Sequence, residues 1–236
     1  MPKRKKMIKN ILLGSVGAVV MICIAVSLTV WFRPLYYFDI NYLDIPQSSG
    51  VSEELCRLNY DALLDYNMLG GSDTLQFPTM PMSERGRIHF AEVKMIFAVM
   101  QGIALAGLAL LALCLFWDAA RAGRTRKAVA APAAEAAQHR YRWMLWAVWI
   151  AEVIVGLTLL AVKIDWETTF TLLHKILFDN NYWLFDPQTD PIIKILPDAF
   201  FMHCGLLIIC LTILFCVGLK LLYYGKTRKK NGKSHF

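Results

Sequence analysis

Phe200–Tyr224, F-F-M-H-C-G-L-L-I-I-C-L-T-I-L-F-C-V-G-L-K-L-L-Y-Y, is the stretch of sequence that decides the fold. Lys220 is its only formally charged residue, and leucine, isoleucine, valine and phenylalanine supply most of the others. A run of about 20 predominantly apolar residues is long enough to cross the hydrocarbon core of a bilayer as a helix. The stretch therefore predicts a transmembrane helix.

Three further apolar runs of similar length come earlier in the chain, and hydrophobic residues make up 57% of its 236 residues. The first run is longer than a signal-peptide core and no Ala-x-Ala cleavage site follows it, so we interpret it as a retained membrane anchor. We predict an all-α membrane protein with a single integral membrane domain over residues 1–236. The four predicted transmembrane helices cover about 11–32, 95–117, 143–162 and 200–224.

The distribution of lysine and arginine predicts the orientation of these helices, because short positively charged loops stay in the cytoplasm. The two tails and the loop 118–142 together carry sixteen of these residues. By contrast, residues 33–91 hold four arginines against eight acidic residues, and residues 163–198 hold three lysines against six. We expect both termini in the cytoplasm, and outer loops 33–94 and 163–199 that form a small, mainly helical extracytoplasmic cap.

Composition and motifs exclude several classes of protein. The net charge of +7 lies almost wholly in the predicted cytoplasmic flanks, where anionic lipid attracts it, so it does not indicate a nucleic-acid partner. Five of the six cysteines fall in or beside apolar runs, which is typical of small buried side chains rather than of a disulfide framework. The absence of a Gly-x-Ser-x-Gly elbow, a P-loop and a His-Glu-x-x-His motif argues against a serine hydrolase, an ATPase and a zinc protease.

The connecting segments carry weaker signals. Residues 35–42 are aromatic and partly alternating, which favours a short strand or an extended run along the membrane interface. Ser52 and Ser83 resemble helix N-caps, and the second of these helices is expected to continue directly into the second transmembrane helix. The loop 118–142 is interpreted as a linker without apolar periodicity. Glu152 lies halfway across the third apolar run, where a carboxylate is a candidate functional residue. No basic residue of another run is apparent at its depth, so a neutral, hydrogen-bonded packing role is at least as well supported.

The segment Leu173–Pro187, L-H-K-I-L-F-D-N-N-Y-W-L-F-D-P, concentrates titratable and aromatic residues between the third and fourth apolar runs. Residues 166–178 predict an interfacial helix with Trp166, Phe170, Leu173 and Leu177 on one side and His174 at the edge of that side. Arg85, His89 and Glu92 share one face of the helix that enters the second apolar run. His89, His174 and His203 are all expected at the outer membrane face.

Two histidines in one cleft can divide the roles of general acid and general base near neutral pH. We therefore expect His89 and His174 to meet and act as such a pair. Each of these histidines could instead be an ordinary hydrogen-bonded residue. A metal site made of His89, Glu92 and either His174 or His203 is a further alternative, but the spacing is a weak indication of one and we expect no metal.

The chain resembles the bacterial lipoprotein intramolecular transacylase family, Lit. The similarity covers nearly the whole chain and rests on three blocks in addition to the four-span layout. These are Phe77–Lys94 (F-P…M-S-E-R-G-R-I-H-F-x-x-V-K), His174–Pro187 (H-K-x-x-F-x-N-x-Y-W-x-F-D-P) and Asp190–His203 (D-P…L-P-x-x-F-F-x-H).

The resemblance implies an acyltransferase that moves the sn-2 acyl chain of a diacylglyceryl-modified N-terminal cysteine onto the α-amine of that cysteine. The product is an N-acyl, S-monoacylglyceryl lipoprotein, known as the lyso form. His89 and His174 are implied as the catalytic pair, with His174 as base and His89 as acid or the reverse, by direct transfer or through an acyl-histidine. The expected groups for the oxyanion, glycerol or peptide are Arg85, Arg87, Asn180, Asn181 and Tyr182, with Asp186 orienting a histidine and with His203 and Glu92 in support.

The implied partners are the diacylated lipoprotein N-terminus and membrane phospholipid, and no cofactor or nucleic acid is expected. The expected location is the bacterial cytoplasmic membrane, with the active site at the outer leaflet. A non-enzymatic four-span scaffold is the alternative that the topology alone leaves open. It would give no reason for three histidines at one depth.

Overall fold

The computed structural model describes residues 3–124 and 131–227, and the regular structure in these ranges is entirely helical. The helices are α1 (Lys3–Trp31), α2 (Arg33–Tyr42), α3 (Ile45–Ser49), α4 (Glu53–Asn67), α5 (Glu84–Arg124), α6 (Ala131–Ile164), α7 (Trp166–Leu177) and α8 (Asp198–Thr227), with a 3₁₀ turn at Pro191–Lys194. Within the described ranges, four helices contain stretches long and apolar enough to cross a membrane, which are Arg4–Trp31, Glu84–Leu113, Arg140–Ile164 and Asp198–Thr227. The predicted all-α, four-span class is confirmed.

One compact unit consists of the described residues of Met1–Ile22, Ala104–Gly156 and Leu211–Phe236. Small side chains dominate its core, and the buried members are Ala18, Met21, Ala147, Val148, Ala151 and Cys216. A Cβ atom added at Gly14 would lie 2.5 Å from the Cβ atom of Trp146, so the close approach of α1 to α6 requires a glycine there.

The same unit contains an ion pair that corrects the expectation for Glu152. Lys220 Nζ of α8 donates to Glu152 Oε1 of α6 at 2.6 Å, and both side chains are partly exposed. The prediction that no basic residue lies at this depth was therefore wrong. Depth had to be judged from approximate helix ends, and an error of one turn displaces a side chain by about 5 Å.

The second unit consists of Cys23–Ile103 and Leu157–Cys210 and holds all of the histidines discussed below. Its core is centred on Tyr36 of α2, which is fully buried. The Tyr36 ring stacks on Tyr60 of α4 at a centroid distance of 3.9 Å and meets Phe200 of α8 edge-on at 5.1 Å. The Tyr36 hydroxyl donates to the carbonyl of Ile195 at 2.8 Å, so the buried oxygen is satisfied.

Residues 33–42 form helix α2 rather than the strand or extended run that their partial alternation suggested. Pro34 falls in the first turn, where a missing N–H costs nothing. Tyr36, Asp39 and Ile40 are the buried positions, and their three- and four-residue spacing is that of one helical face. Packing of that face against the core decides between the two periodicities.

The predicted linker 118–142 is mostly helical where the structure describes it. Helix α5 continues to Arg124 and α6 begins at Ala131, while residues 125–130 lie outside the described ranges. Alanine and arginine are among the best helix formers, so the segment can be helical without an apolar stripe. The helical conformation of the described part is compatible with a linker, and the position of this segment in the cytoplasm stays a prediction.

The predicted N-caps at Ser52 and Ser83 are confirmed. The Ser52 hydroxyl accepts the backbone N–H of Leu55, and the Ser83 hydroxyl accepts that of Gly86. Helix α5 then runs without a break from Glu84 into the membrane-crossing stretch, as expected.

Candidate active site

The start of α5 is held by a carboxylate from another segment. Asp190, which is 3% exposed, accepts the backbone N–H of Ser83 at 2.8 Å. A Cβ atom on Gly86 would lie 2.4 Å from Asp190 Oδ1, so only glycine permits this approach. Because acidic groups stabilise a helix N-terminus, the contact fixes the first turn of α5 and with it the side chains one turn further on.

Helix α7 presents a row of aromatic rings at four-residue spacing. Asp165 caps the helix by accepting the backbone N–H of Thr168. Ring centroids lie 5.6 Å apart for Trp166 and Phe170, and 4.2 Å apart for Phe170 and His174. His174 thus belongs to the row itself.

The helix predicted for residues 166–178 is observed as α7. Trp166, Phe170, Leu173 and Leu177 lie within about 60° of one another around its axis, because residues four and seven apart are offset by only about 40° and 20°. Leu173 and Leu177 are 51% and 46% exposed, which suits an apolar side that faces lipid.

His89 of α5 and His174 of α7 come together as the sequence suggested. Their ring centroids are 6.2 Å apart and the rings are inclined at 32°. The Phe178 ring contacts both, with centroid distances of 4.8 Å to His89 and 5.7 Å to His174. The Phe185 ring lies 5.4 Å from His89, and the Trp183 ring lies 4.8 Å from His174. Two titratable rings therefore share an aromatic enclosure.

A backbone contact determines the tautomer of His174. Its Nδ1 lies 2.8 Å from the carbonyl oxygen of Phe170. A carbonyl oxygen can only accept, so Nδ1 carries the proton and Nε2 of the neutral ring carries the lone pair. Burial lowers the pKa of His174 below its ordinary value, against the opposing effect of the Phe170 carbonyl. At neutral pH the Nε2 atom is thus available as a proton acceptor.

Three buried polar atoms around this pair have no hydrogen-bond partner among the described residues. They are Nδ1 of His89, Oε2 of Glu92 and Nε1 of Trp183. Buried polar atoms are nearly always paired in folded proteins, so each of these three atoms requires a partner from outside the described residues, such as water or a bound substrate. His89 is 5% exposed, so its unpaired nitrogen is not solvated by bulk water.

Asn180 links the second block to α5. Its Nδ2 donates to Glu92 Oε1 at 2.8 Å, and its Oδ1 accepts the backbone N–H of Tyr182 at 2.9 Å. The Arg85 guanidinium lies over the Tyr182 ring, with Cζ 5.2 Å from the ring centroid. Arg85, Glu92, Asn180 and Tyr182 are therefore connected to one another.

The other sequence-predicted residues have different surroundings. Arg87 is exposed and donates to Glu84. Asn181 is exposed, and its carbonyl accepts the N–H of Leu184. Asp186 is exposed and accepts the backbone N–H of Gln188 within its own turn, so the contacts of the described residues do not link it to a histidine.

His203 joins a separate polar contact in the same unit. Its Nδ1 lies 2.8 and 3.0 Å from the two carboxylate oxygens of Asp39, which is fully buried on α2. Burial raises the pKa of Asp39, and the His203 N–H opposes that rise. This contact connects α2 to α8. The ring centroids of His203 and Tyr42 are 5.8 Å apart.

Within residues 3–124 and 131–227, no three histidine, cysteine, aspartate or glutamate side chains are grouped as metal ligands would be. His89 and Glu92 instead have an imidazole and an amide as neighbours.

Sequence reasoning missed several residues that the geometry assigns to the site. Phe170, Phe178, Trp183 and Phe185 form the aromatic enclosure, and Asp190 fixes the start of α5. Their four-residue spacing in 170–178 was a signal for the enclosure. Nothing local could have paired Asp39 with His203 or Asp190 with Gly86, because these residues are far apart in the sequence.

The fold and site define a multi-pass helical membrane protein with a buried histidine pair. The family described as Lipoprotein intramolecular transacylase Lit matches residues 11–201, and the chain belongs to this family. It is therefore an acyltransferase that acts on lipoproteins in the membrane, and the scaffold alternative is set aside.

Solved structures of the membrane integral lipoprotein intramolecular transacylase Lit from Bacillus cereus agree with this assignment. One has a TM-score of 0.80 at 27% identity and covers 97% of this chain and 99% of that chain. Two others, in which one histidine is replaced by arginine or by alanine, have TM-scores of 0.76 at 27% identity and cover 96% of this chain and 94% and 96% of theirs. A search of curated proteins found no match.

Proposed function

We propose that this transacylase moves the sn-2 acyl chain of a diacylglyceryl-cysteine onto the α-amine of the same cysteine, with His174 and His89 as the catalytic pair. The observation that carries the proposal is the 6.2 Å approach of the two imidazoles inside an enclosure where several buried polar atoms have no partner among the described residues. Neither a structural role nor a metal site needs that arrangement.

His174 is the general base. Its Nδ1–H is engaged by the Phe170 carbonyl, which leaves Nε2 as the acceptor, and its lowered pKa keeps the ring neutral at pH 7. An α-ammonium has an ordinary pKa of about 7.7–8.0, so the attacking amine must first lose a proton. Nε2 takes that proton and makes the amine a nucleophile.

His89 is the general acid. Its buried Nδ1 has no partner among the described residues, so an N–H at that atom can be directed at substrate. The departing glycerol oxygen needs a proton as the ester bond breaks, and a nearby imidazole can supply it.

The reaction balances without a second substrate. The amine nitrogen bonds to the sn-2 carbonyl carbon, and the bond from that carbon to the glycerol oxygen breaks. Two protons leave the nitrogen of the α-ammonium in all. The first passes to His174 and is released to solvent before attack. The second is taken by His174 as the C–N bond forms while His89 protonates the glycerol oxygen, and proton transfer between the two imidazoles then restores their starting states. Because donor and acceptor belong to one molecule, the enzyme contributes chiefly by holding them in reactive geometry.

Arg85, Asn180 and Tyr182 are the groups best placed to receive the oxyanion and the glycerol backbone. They are mutually connected, through Asn180 to Tyr182 and through the Arg85 guanidinium over the Tyr182 ring. Donors already oriented toward developing negative charge stabilise a tetrahedral intermediate. Arg87, Asn181 and Asp186, which are exposed, are proposed to contact the peptide or glycerol at the entrance.

The active site is proposed to face the outer leaflet, with both termini in the cytoplasm. Support comes from the positive tails and the positive segment between α5 and α6, set against the acidic segments that carry the histidine pair. Exposed leucines and isoleucine on α7, including Leu172 and Ile176, are suited to contact with acyl chains.

Mass spectrometry of lipoprotein N-termini tests the proposal. Cells with this gene should yield an N-acyl, S-monoacylglyceryl cysteine, and cells without it should yield the diacylglyceryl form with a free amine. An N-acyl chain that comes from an added phospholipid, traced with labelled lipid, would contradict intramolecular transfer. In a separate experiment the sn-2 chain of the lipoprotein substrate carries the label. Label bound covalently to the purified enzyme during a single turnover would indicate an acyl-histidine route.

A further inference from the structure

The Glu92 carboxylate lies beside the histidine pair, and the described residues bond only one of its oxygens. Glu92 follows His89 by three residues on α5, so the two side chains project from one helical face. Its Oε1 accepts from Asn180 Nδ2 at 2.8 Å, and Asn180 is itself fixed through the backbone N–H of Tyr182. One oxygen of the carboxylate is therefore bonded to a side chain that is itself hydrogen-bonded to the backbone.

The second oxygen is buried and has no partner among the described residues. Burying a carboxylate oxygen without a donor is costly, and buried carboxylates are normally paired with cations or several hydrogen bonds. Such a half-satisfied carboxylate fits a cationic donor that arrives with the substrate.

The cations of α5 nearest to Glu92 in sequence are directed elsewhere. Arg87 pairs with Glu84, and Lys94 Nζ donates to the carbonyls of Gly71 and Ser72. The Arg85 guanidinium lies over the Tyr182 ring. Helix α5 thus supplies cations on both sides of Glu92 without using them to neutralise its buried oxygen.

We infer that Glu92 Oε2 binds the α-ammonium of the substrate's N-terminal cysteine. The inference rests on the proposed function, which makes that amine the acyl acceptor. An α-ammonium has three N–H donors, so one can bond Oε2 while another points at Nε2 of His174. After the proton has passed to His174, an N–H···Oε2 bond keeps the amine oriented for attack on the sn-2 carbonyl.

This role makes Glu92 a substrate-binding residue rather than the base. Binding that is similar in the ground state and the transition state lowers KM more than it raises kcat. Glu92→Gln keeps the side-chain volume and an oxygen for Asn180, but it replaces the acceptor Oε2 with an amide N–H₂. The amide would oppose an ammonium instead of binding it.

Two unreactive inhibitors isolate this interaction. Both are cysteinyl peptides with ether-linked glyceryl chains, which cannot transfer an acyl group, and one of them lacks the α-ammonium. The full-length protein in lipid nanodiscs should bind the ammonium form about tenfold or more tighter, since a hydrogen bond to a charged group is worth more than a neutral one. In Glu92→Gln the two inhibitors should bind nearly equally, and KM for the ester substrate should rise more than kcat falls.

Matched variants complete the test. Glu53→Gln makes the same change on α4, where Glu53 is partly exposed and paired with Arg57. This variant should still bind the inhibitor with the α-ammonium more tightly, as the wild-type protein does. Glu92→Asp keeps the charge and should retain part of the preference.

Equal binding of the two inhibitors to the wild-type protein would overturn the inference, even if Glu92→Gln failed to fold. An unchanged preference in folded Glu92→Gln would overturn it as well, and so would a loss confined to kcat, which would make Glu92 the base. Failure of the wild-type protein to form N-acyl product would contradict the proposed reaction instead, because inhibitor binding does not depend on turnover.

Discussion

Nδ1 of His174 donates to the carbonyl oxygen of Phe170 one helical turn earlier, at 2.8 Å. This contact belongs to α7 alone, yet it determines which nitrogen of His174 carries the proton and which keeps the lone pair that a base needs. It forms because the ring packs in an aromatic row at four-residue spacing, with its centroid 4.2 Å from that of Phe170.

Alanine at His89 or at His174 should each lower the rate of N-acyl product formation by about 10²–10⁴-fold, the usual contribution of a positioned acid or base. The double variant should be little worse than the slower single variant, because the two groups act in one step. The rate is measured by mass spectrometry of a synthetic diacylglyceryl peptide, with insertion and folding checked by size exclusion. Additive losses in the double variant would contradict joint action.

In the plot of kcat against pH, the midpoint of the acid limb should lie below the ordinary imidazole pKa of about 6.5. Burial lowers the pKa of His174, and only the neutral form of the ring accepts a proton. Phe178→Ser opens the enclosure to water on both rings and should move the limb upward toward that value. Phe38→Ser is the control, since Phe38 is 61% exposed and should leave the profile unchanged. A downward shift in Phe178→Ser would count against this assignment.

Gly86→Ala should destabilise the start of α5, because the new methyl group would meet the Asp190 carboxylate. Asp190→Ala should also destabilise it, by removing the acceptor for the Ser83 N–H. In the double variant the methyl group no longer meets a carboxylate. The decrease in melting temperature of the double variant should therefore be smaller than the sum of the decreases in the two single variants. Strict additivity of the melting shifts would refute the proposed contact.

His203→Ala should cost on the order of 3–5 kcal/mol of stability, because it leaves the Asp39 carboxylate buried without its donor. Adding Asp39→Asn should recover part of that loss, since the buried charge is then gone. Denaturation in detergent measures both. The pH dependence of kcat, measured on the variant protein that remains folded, should match that of the wild-type protein. A displaced kcat profile would mean that His203 acts on the catalytic pair.

Treatment with a strong chelator should leave the rate of N-acyl product formation unchanged. The expectation follows from the chemistry, in which two imidazoles supply the acid and the base, and a neutral amine needs no Lewis acid to attack an ester. Activity that is lost with the chelator and restored by zinc would revive the site of His89, Glu92 and a third ligand.

Much of the site could be predicted because the relevant residues lie in two short blocks. His89 and Glu92 share a helical face in one block, and His174, Asn180 and Tyr182 follow one another in the other. Helix periodicity was enough to group His89 with Glu92, and closeness in the sequence was enough to group the other three. The Asn180–Glu92 bond and the anchoring of α5 by Asp190 could not be predicted, because each joins residues from different blocks and depends on how the connecting segments pack.

The sequence by itself determined the class of this protein and its four spans, because about 20 consecutive apolar residues have few alternatives to a helix in a bilayer. Only the tertiary structure decided that residues 33–42 are helical, that Lys220 pairs with Glu152 and that His203 pairs with Asp39 rather than with the other histidines. The physical reason is that hydropathy is a sum over neighbouring residues. A hydrogen bond or ion pair depends instead on the depth and rotation of two helices, which are set by the packing of the whole unit.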